Sequence, residues 1–201
     1  MLRDRPSIDP TTTALLVIDL QGSLSQPTYP RTTDDVVAST IELIAAAREV
    51  GVTVIHIRAG NESDGRDWIF ADTEDDRPRR VWALEDMRFD PRVEPQDSDI
   101  VITKRQWGAF YDSGLELQLR RRGLDTLVLS GIATNFAVES TARDGWQRGF
   151  RLLFVEDAMA GLAPGDHEFA FSRIFPRIGR IISASELIDV MHTPLEIAPP
   201  S

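Results

Sequence analysis

A single lysine, Lys104, stands among twenty-one arginines. The two cations interchange freely on a solvated surface. They do not where a compact ammonium must sit beside a reacting group, because the planar guanidinium is larger and keeps its proton. Lys104 closes the run Asp99-Ile-Val-Ile-Thr-Lys104, and Asp19 closes another apolar run, Ala14-Leu-Leu-Val-Ile-Asp19. A carboxyl and an ammonium brought together can move a proton and steady developing charge. Taken singly, Asp19 also fits a turn or helix-cap aspartate, and Lys104 a chance survivor among basic positions. A third feature is Gly131-Ile-Ala-Thr-Asn-Phe-Ala137. Thr134 is suited to cap a helix that runs to Trp146 and stops at Gly149. Ala137 then falls in the first turn, where free N–H groups and the helix dipole favour a negatively charged oxygen. The same place would depress the pKa of a thiol, but the residue there is an alanine.

The elements that must position these groups follow from the apolar pattern. Asp34 to Val50 has helical periodicity, with Val37, Ile41, Ile44 and Ala45 on one face and Gly51 at its close. Besides 14–19, strand-like runs occur at 52–57, 99–103, 126–130, 152–156 and 180–183, with helical patterns at 113–122, 135–148 and 166–175. Strands apolar on both faces and separated by helices predict a parallel sheet covered on both sides. Right-handed crossovers make that a doubly wound α/β domain. Ligands then bind beyond the carboxyl ends of the strands, the rim to which Asp19, Lys104 and Gly131–Ala137 all belong.

Composition sets the outer limits. The 201 residues are expected to form one domain with a single well-buried core. There is no cysteine, so disulfides, thiolate metal sites and a cysteine nucleophile are excluded. A formal net charge of −10 argues against nucleic acid and anionic membrane as partners. Met1 to Thr13 is polar and unlike a signal peptide, and no apolar run approaches bilayer-spanning length. A soluble, cytoplasmic protein is expected. Residues 59–97 break the alternation with many Asp, Glu and Arg, Trp68, Trp82 and prolines 78, 91 and 95. So long an excursion within a domain is commonly functional, and short helical turns used as a lid or subunit contact are expected there.

Three spaced segments carry a family resemblance. Val17-Ile-Asp19-Leu-Gln21, Thr103-Lys104-Arg-Gln-Trp-Gly-Ala-Phe110 and Gly131-Ile-Ala-Thr-Asn-Phe-Ala-Val-Glu-Ser-Thr-Ala142 resemble the isochorismatase-like hydrolases of the cysteine hydrolase superfamily. Glu156-Asp157-Ala158 followed by His167 also fits, and the likeness runs from about residue 11 to 190. It implies a six-stranded parallel sheet with helices on both faces, a Rossmann-like three-layer sandwich, assembled as a homodimer or larger homo-oligomer. In amidase members an Asp, a Lys and a Cys are catalytic, roles that map onto Asp19, Lys104 and the position of Ala137. A non-proline cis peptide is implied at Ile132–Ala133, where it would aim amides at the substrate oxygen.

The departure at Ala137 leaves three readings open. The chain belongs to a natural branch without the cysteine, and water attacks a small organic metabolite directly. Alternatively, it is a cysteine amidase in an inactive Cys→Ala form, or a non-catalytic relative that keeps the pocket to bind a metabolite. Trp107, Phe110 and Phe136 are expected walls of the pocket, although the two phenylalanines fit plain core equally well, and Gln21 is expected to orient ligand or water. Arg120-Arg-Arg122 near a helix end is better read as solvated surface complementing the dipole. No cofactor or metal is expected: His56 is isolated in a strand, and His167 and His192 lie far off in sequence.

Overall fold

The computed structural model describes residues 6–22, 24–67, 69, 71–74 and 81–193. Six strands form one sheet: β1 (Thr13–Ile18), β2 (Thr53–Ala59), β3 (Ile100–Lys104), β4 (Thr126–Ile132), β5 (Arg151–Ala160) and β6 (Arg180–Ile182). Their order is β3-β2-β1-β4-β5-β6, and every pair is parallel. Between them run α1 (Thr33–Val50), α2 (Leu115–Arg121), α3 (Glu139–Gln147), α4 (Asp166–Phe169), α5 (Phe175–Ile178) and α6 (Ala184–Met191). The doubly wound, six-stranded parallel α/β fold expected from the sequence is present.

β1 shows why the sheet must be covered twice. All six of its residues are buried, and the period of two sends them alternately to opposite faces. Leu15 and Val17 join the core under α1 and α6, with Val36, Leu43, Ile44 and Leu187. Ala14, Leu16 and Ile18 join the core under α2 and α3, with Leu115, Leu119 and Ala142. The sheet therefore separates two apolar layers rather than covering one core. Phe154 stacks on Phe175 in the second layer, ring centroids 3.9 Å apart.

Helix α1 is fixed at both ends by local chemistry. Thr32 and Asp35 form a reciprocal capping box, and Gly51 closes the helix in the left-handed conformation. Its buried face differs from the expected one. Val37 and Ile44 are inside, but Ile41 is 39% exposed and Ala45 faces solvent. Val36, Thr40, Leu43 and Ala47 take their places. Thr40 can do so because its hydroxyl donates to the Val36 carbonyl at 2.8 Å, which removes the cost of burying it.

Two further elements exceed expectation. The run at 152–156 extends to Ala160 through a register irregularity: Leu129 pairs with Phe154, but Gly131 pairs with Met159. The helical pattern at 166–175 continues to Ile178 through a wide π-helical turn at Ala170–Ile174. Helix α6 was not expected at all, although Ser183 and Glu186 form a capping box at its start. Among its described residues the 59–97 excursion carries a 3-10 turn at Pro91–Val93 and returns beside the chain after β1, with Gly22 N–H donating to Arg88 O at 2.9 Å. Trp68 lies outside the described residues, as do residues 1–5 of the amino-terminal stretch. No helix among the described residues is long and apolar enough to cross a membrane.

The tightest point of the sheet lies at its centre. Gly131 in β4 has φ +117°, and a Cβ there would stand 2.0 Å from the Ile18 carbonyl oxygen in β1. Neither the backbone conformation nor the neighbouring backbone admits a side chain. Gly131→Ala should destabilise the fold by upward of about 4 kcal/mol. In thermal and urea denaturation it should melt far below the parent or fail to accumulate as folded protein, and a variant of parental stability would contradict this packing.

Candidate active site

The strand order reverses between β1 and β4, and open parallel sheets take ligands beyond the strand ends at such a point. Asp19 is the first residue past β1, in a left-handed backbone conformation with φ 54°. Lys104 is the last residue of β3, two strands away, where it pairs with Ala59 of β2. Two strand spacings come to roughly 10 Å, so the ammonium must reach across the end of β2. The residue it crosses is the small Ala59, and Nζ meets Asp19 Oδ2 at 2.8 Å. The expected meeting of the two groups, 85 positions apart, is present in the fold.

Burial sets the electrostatics of this pair. Lys104 is only 2% exposed, and its Nζ also donates to the Gln106 carbonyl at 3.1 Å. The Asp19 side chain is 18% exposed, and its Oδ1 is shielded from solvent without a well-formed hydrogen bond. Desolvation lifts the Asp19 carboxyl above the ordinary carboxylate range, against the opposing charge and hydrogen bond of Lys104 and a smaller pull from the Ala59 amide. The net upward direction matters chemically, since it brings the group nearer the pH at which it can both take and return a proton.

A cavity of about 300 Å³ opens over the pair. Among the described residues lining it, Asp19 and Lys104 are the only ionisable ones, and they face each other. Trp107 and Phe136 form one wall, edge to face with centroids 4.8 Å apart, and Trp82 from the 59–97 excursion forms another part. Ile132, Ala133 and Ala137 border the same space. The Ile132–Ala133 peptide is cis, as the resemblance implies.

Two details at this turn differ from expectation. Thr134–Val138 is a single π-helical turn leading into α3, and Thr134 makes no capping bond. Its hydroxyl meets His167 Nδ1 at 3.0 Å instead. The first residue before the helix is Ala133, which has no side-chain acceptor to offer.

The remaining candidates divide. Phe110 is a core residue under α3, packed beside Phe150 and below the Arg148 guanidinium, and is not part of the cavity lining. Gln21 borders the cavity, but its polar atoms hold backbone. Nε2 donates to Ala59 O and Asp86 O, and Oε1 accepts from Ala59 N–H. Gln21 therefore ties the excursion to the end of β2, a role its sequence context did not reveal. Arg120 donates to the Arg148 carbonyl and lies over Phe150, while Arg122 bonds Gln118, so this cluster is surface packing. His56 lies in β2 beside Asp99, which also pairs with Arg48. Burial, with the Arg48 charge, holds His56 down to a pKa of about 4 despite Asp99. Among the described residues, no three His, Cys, Asp or Glu side chains converge as a metal site.

The doubly wound domain carries an acid–ammonium pair at its switch point, and comparison with known proteins places it in a hydrolase family. The isochorismatase domain model matches residues 13–186. The chain is 42% identical over 181 residues to an uncharacterized isochorismatase family protein, YecD, of Escherichia coli O157:H7, covering 90% of this chain and 96% of that one. It is 30% identical to the ureidoacrylate amidohydrolase RutB of Methylobacterium radiotolerans, over 94% of this chain and 83% of the other. An isochorismatase family protein of known structure from Burkholderia thailandensis superposes with a TM-score of 0.90 at 37% identity, covering 94% of this chain and 100% of that one. The chain belongs to the isochorismatase family and is a hydrolase.

The balance of forces at Asp19 has a direct test. Lys104→Met removes the cation that pulls the carboxyl down and leaves the desolvation that pushes it up. The Asp19 carboxyl, followed by carbon-detected NMR, should titrate at higher pH in the variant than in the parent. An unchanged or lower titration midpoint would show that Lys104 does not set the charge of Asp19.

Proposed function

We propose that the protein hydrolyses a bond in a small organic metabolite by direct addition of water, with Asp19 as the proton carrier and no covalent enzyme intermediate. The observation that carries this reading is the Asp19–Lys104 contact of 2.8 Å at a cavity where Ala137 occupies the family's nucleophile position. A methyl group cannot attack, so the incoming oxygen must come from water. Lys104 holds the Asp19 carboxyl in place at the cavity edge, and that carboxyl carries the proton. Ile132, Ala133 and Ala137 border the place where a developing negative oxygen would be steadied.

Two bond classes use this proton economy. For a C–N bond, the Asp19 carboxylate takes a proton from water as the oxygen adds to the carbonyl carbon, then returns it to the departing nitrogen. For a vinyl ether, the protonated carboxyl gives its proton to the enol carbon, and water captures the oxocarbenium ion and returns a proton to the carboxylate. The resulting hemiketal breaks its ether C–O bond to give a carbonyl and the free alcohol. The relatives named as amidohydrolases favour the C–N class. The 59–97 excursion, which places Trp82 at the cavity, serves in this reading as a lid or subunit contact. Exposed Trp107 and Tyr111 support self-association as a homodimer or larger assembly, which sedimentation equilibrium tests.

The catalytic reading is tested by presenting amides, ureido compounds, esters and vinyl ethers and measuring product release by mass spectrometry. Asp19→Asn should lower turnover of any accepted compound by about 10²–10⁴-fold. Ala137→Cys should form a mass-detectable acyl-enzyme with an accepted amide or ester. Turnover undiminished in Asp19→Asn, or none by the parent across all four classes, would overturn the proposal.

A further inference from the structure

Thr134, the residue after the cavity-lining Ala133, is fully buried and bonded to a side chain that lines no part of the cavity. Its Oγ1 lies 3.0 Å from Nδ1 of His167, at the start of α4. The imidazole is 2% exposed and stacks on Phe171, centroids 4.3 Å apart, so its ring plane is fixed by packing. On the opposite edge, Nε2 faces Arg31 Nη1 at 3.4 Å. That guanidinium nitrogen is itself anchored, donating to the carbonyls of Glu156 and Met159 at 2.8 Å each.

The tautomer follows from donor chemistry. A guanidinium offers only N–H groups. An N–H on Nε2 would point at another donor carrying positive charge, so Nε2 must present its lone pair and Nδ1 must carry the proton. Nδ1–H then donates to Thr134 Oγ1. The same cation opposes a second proton on the ring. Burial first, then the Arg31 charge, hold His167 at a pKa of about 4, with Glu168 weakly opposing.

We propose that His167 is the positioning residue of the 133–137 turn: its Nδ1–H, fixed by Arg31, seats Thr134 and with it the cavity wall formed by Phe136 and Ala137. Arg31 also closes the 24–33 segment, whose Leu24, Gln26 and Thr28 border the cavity from the other side. Tyr29 and Gly161 exchange backbone hydrogen bonds of 2.9 and 2.8 Å beside it. One imidazole thus links the two walls without touching the cavity. The inference concerns placement of the turn and needs no turnover, so it stands or fails separately from the hydrolytic reading.

The test uses the full-length protein and two spectroscopic readouts. Long-range nitrogen–proton NMR spectra at pH 7 should show His167 protonated on Nδ1 and bare on Nε2. Fluorine NMR of protein labelled with 5-fluorotryptophan reports the turn through Trp107, which packs edge to face on Phe136. His167→Asn keeps an N–H near the position of Nδ1, whereas His167→Gln displaces it and Thr134→Val removes the acceptor. The Trp107 resonance should move by more than its linewidth in His167→Gln and Thr134→Val and return in His167→Asn, with that of Trp146 unchanged throughout. An Nε2–H tautomer, or a Trp107 resonance that stays in place in both disrupting variants or moves equally in all three, would overturn the proposal. Should His167→Gln fail to fold, the parent tautomer and the near-isosteric Thr134→Val decide the matter.

Discussion

The site depends on a carboxyl and an ammonium held together where water is scarce. Removing either partner from a buried pair leaves an uncompensated group, at a cost of about 3–5 kcal/mol. The two partners here are not equivalent. Asp19 can escape that cost by taking a proton, and burial already pushes it that way. Lys104, 2% exposed, depends on Asp19 and one backbone carbonyl. Loss of the carboxylate should therefore disturb the fold more than loss of the cation. Arginine would meet Asp19 differently from Lys104. Its planar head would have to lie across the end of β2, and it would hold Asp19 in a fork rather than from one side.

The sheet supplies this geometry through backbone constraints. Gly131 lets β4 approach the Ile18 carbonyl, so the turn that follows β4 begins close to Asp19. Asp19 leaves β1 in a left-handed conformation, while its N–H donates to Ile57 O of β2 at 2.9 Å. Its direction is thereby fixed by the sheet. Gln21 then joins the ends of β2 and the excursion through three hydrogen bonds. Among the described residues, Gln21 and Lys104 commit their polar atoms to backbone and to Asp19, while Asp19 Oδ1 has no well-formed hydrogen bond.

Much of this arrangement was legible in the sequence, for a physical reason. Strand runs that are apolar on both faces admit only a sheet covered twice, so the rim shared by Asp19, Lys104 and the 131–137 segment followed from alternation alone. The face of α1 was less legible. Two neighbouring stripes of comparable apolarity were available, and Thr40 could be buried only because its hydroxyl finds a carbonyl one turn back. Phe110 carried no local sign of whether it faced the core or the cavity, because core and pocket walls demand the same side chain. Thr134 showed the reverse problem. A hydroxyl before a helical pattern is a sound cap signal, but a neutral imidazole 33 positions away competes for it. Only the three-dimensional course of α4 reveals that partner. Helix α6 had a readable start in Ser183 and Glu186, a signal overlooked rather than missing.

The alanine at 137 is consistent with these surroundings. It is buried in the α3-side core and also borders the cavity, so its methyl group serves both packing and pocket shape. A larger apolar side chain would fill the space where water must stand, while a thiol would put a nucleophile beside a proton carrier already poised by burial. In the proposed reading the acid–ammonium pair transfers protons without that nucleophile, with Lys104 and desolvation acting in opposite directions on the Asp19 carboxyl. On the proposal above, the chemistry is limited to what water can attack. A bond activated by protonation, or a carbonyl whose oxygen is steadied by the adjoining turn, meets that limit. An unactivated bond does not.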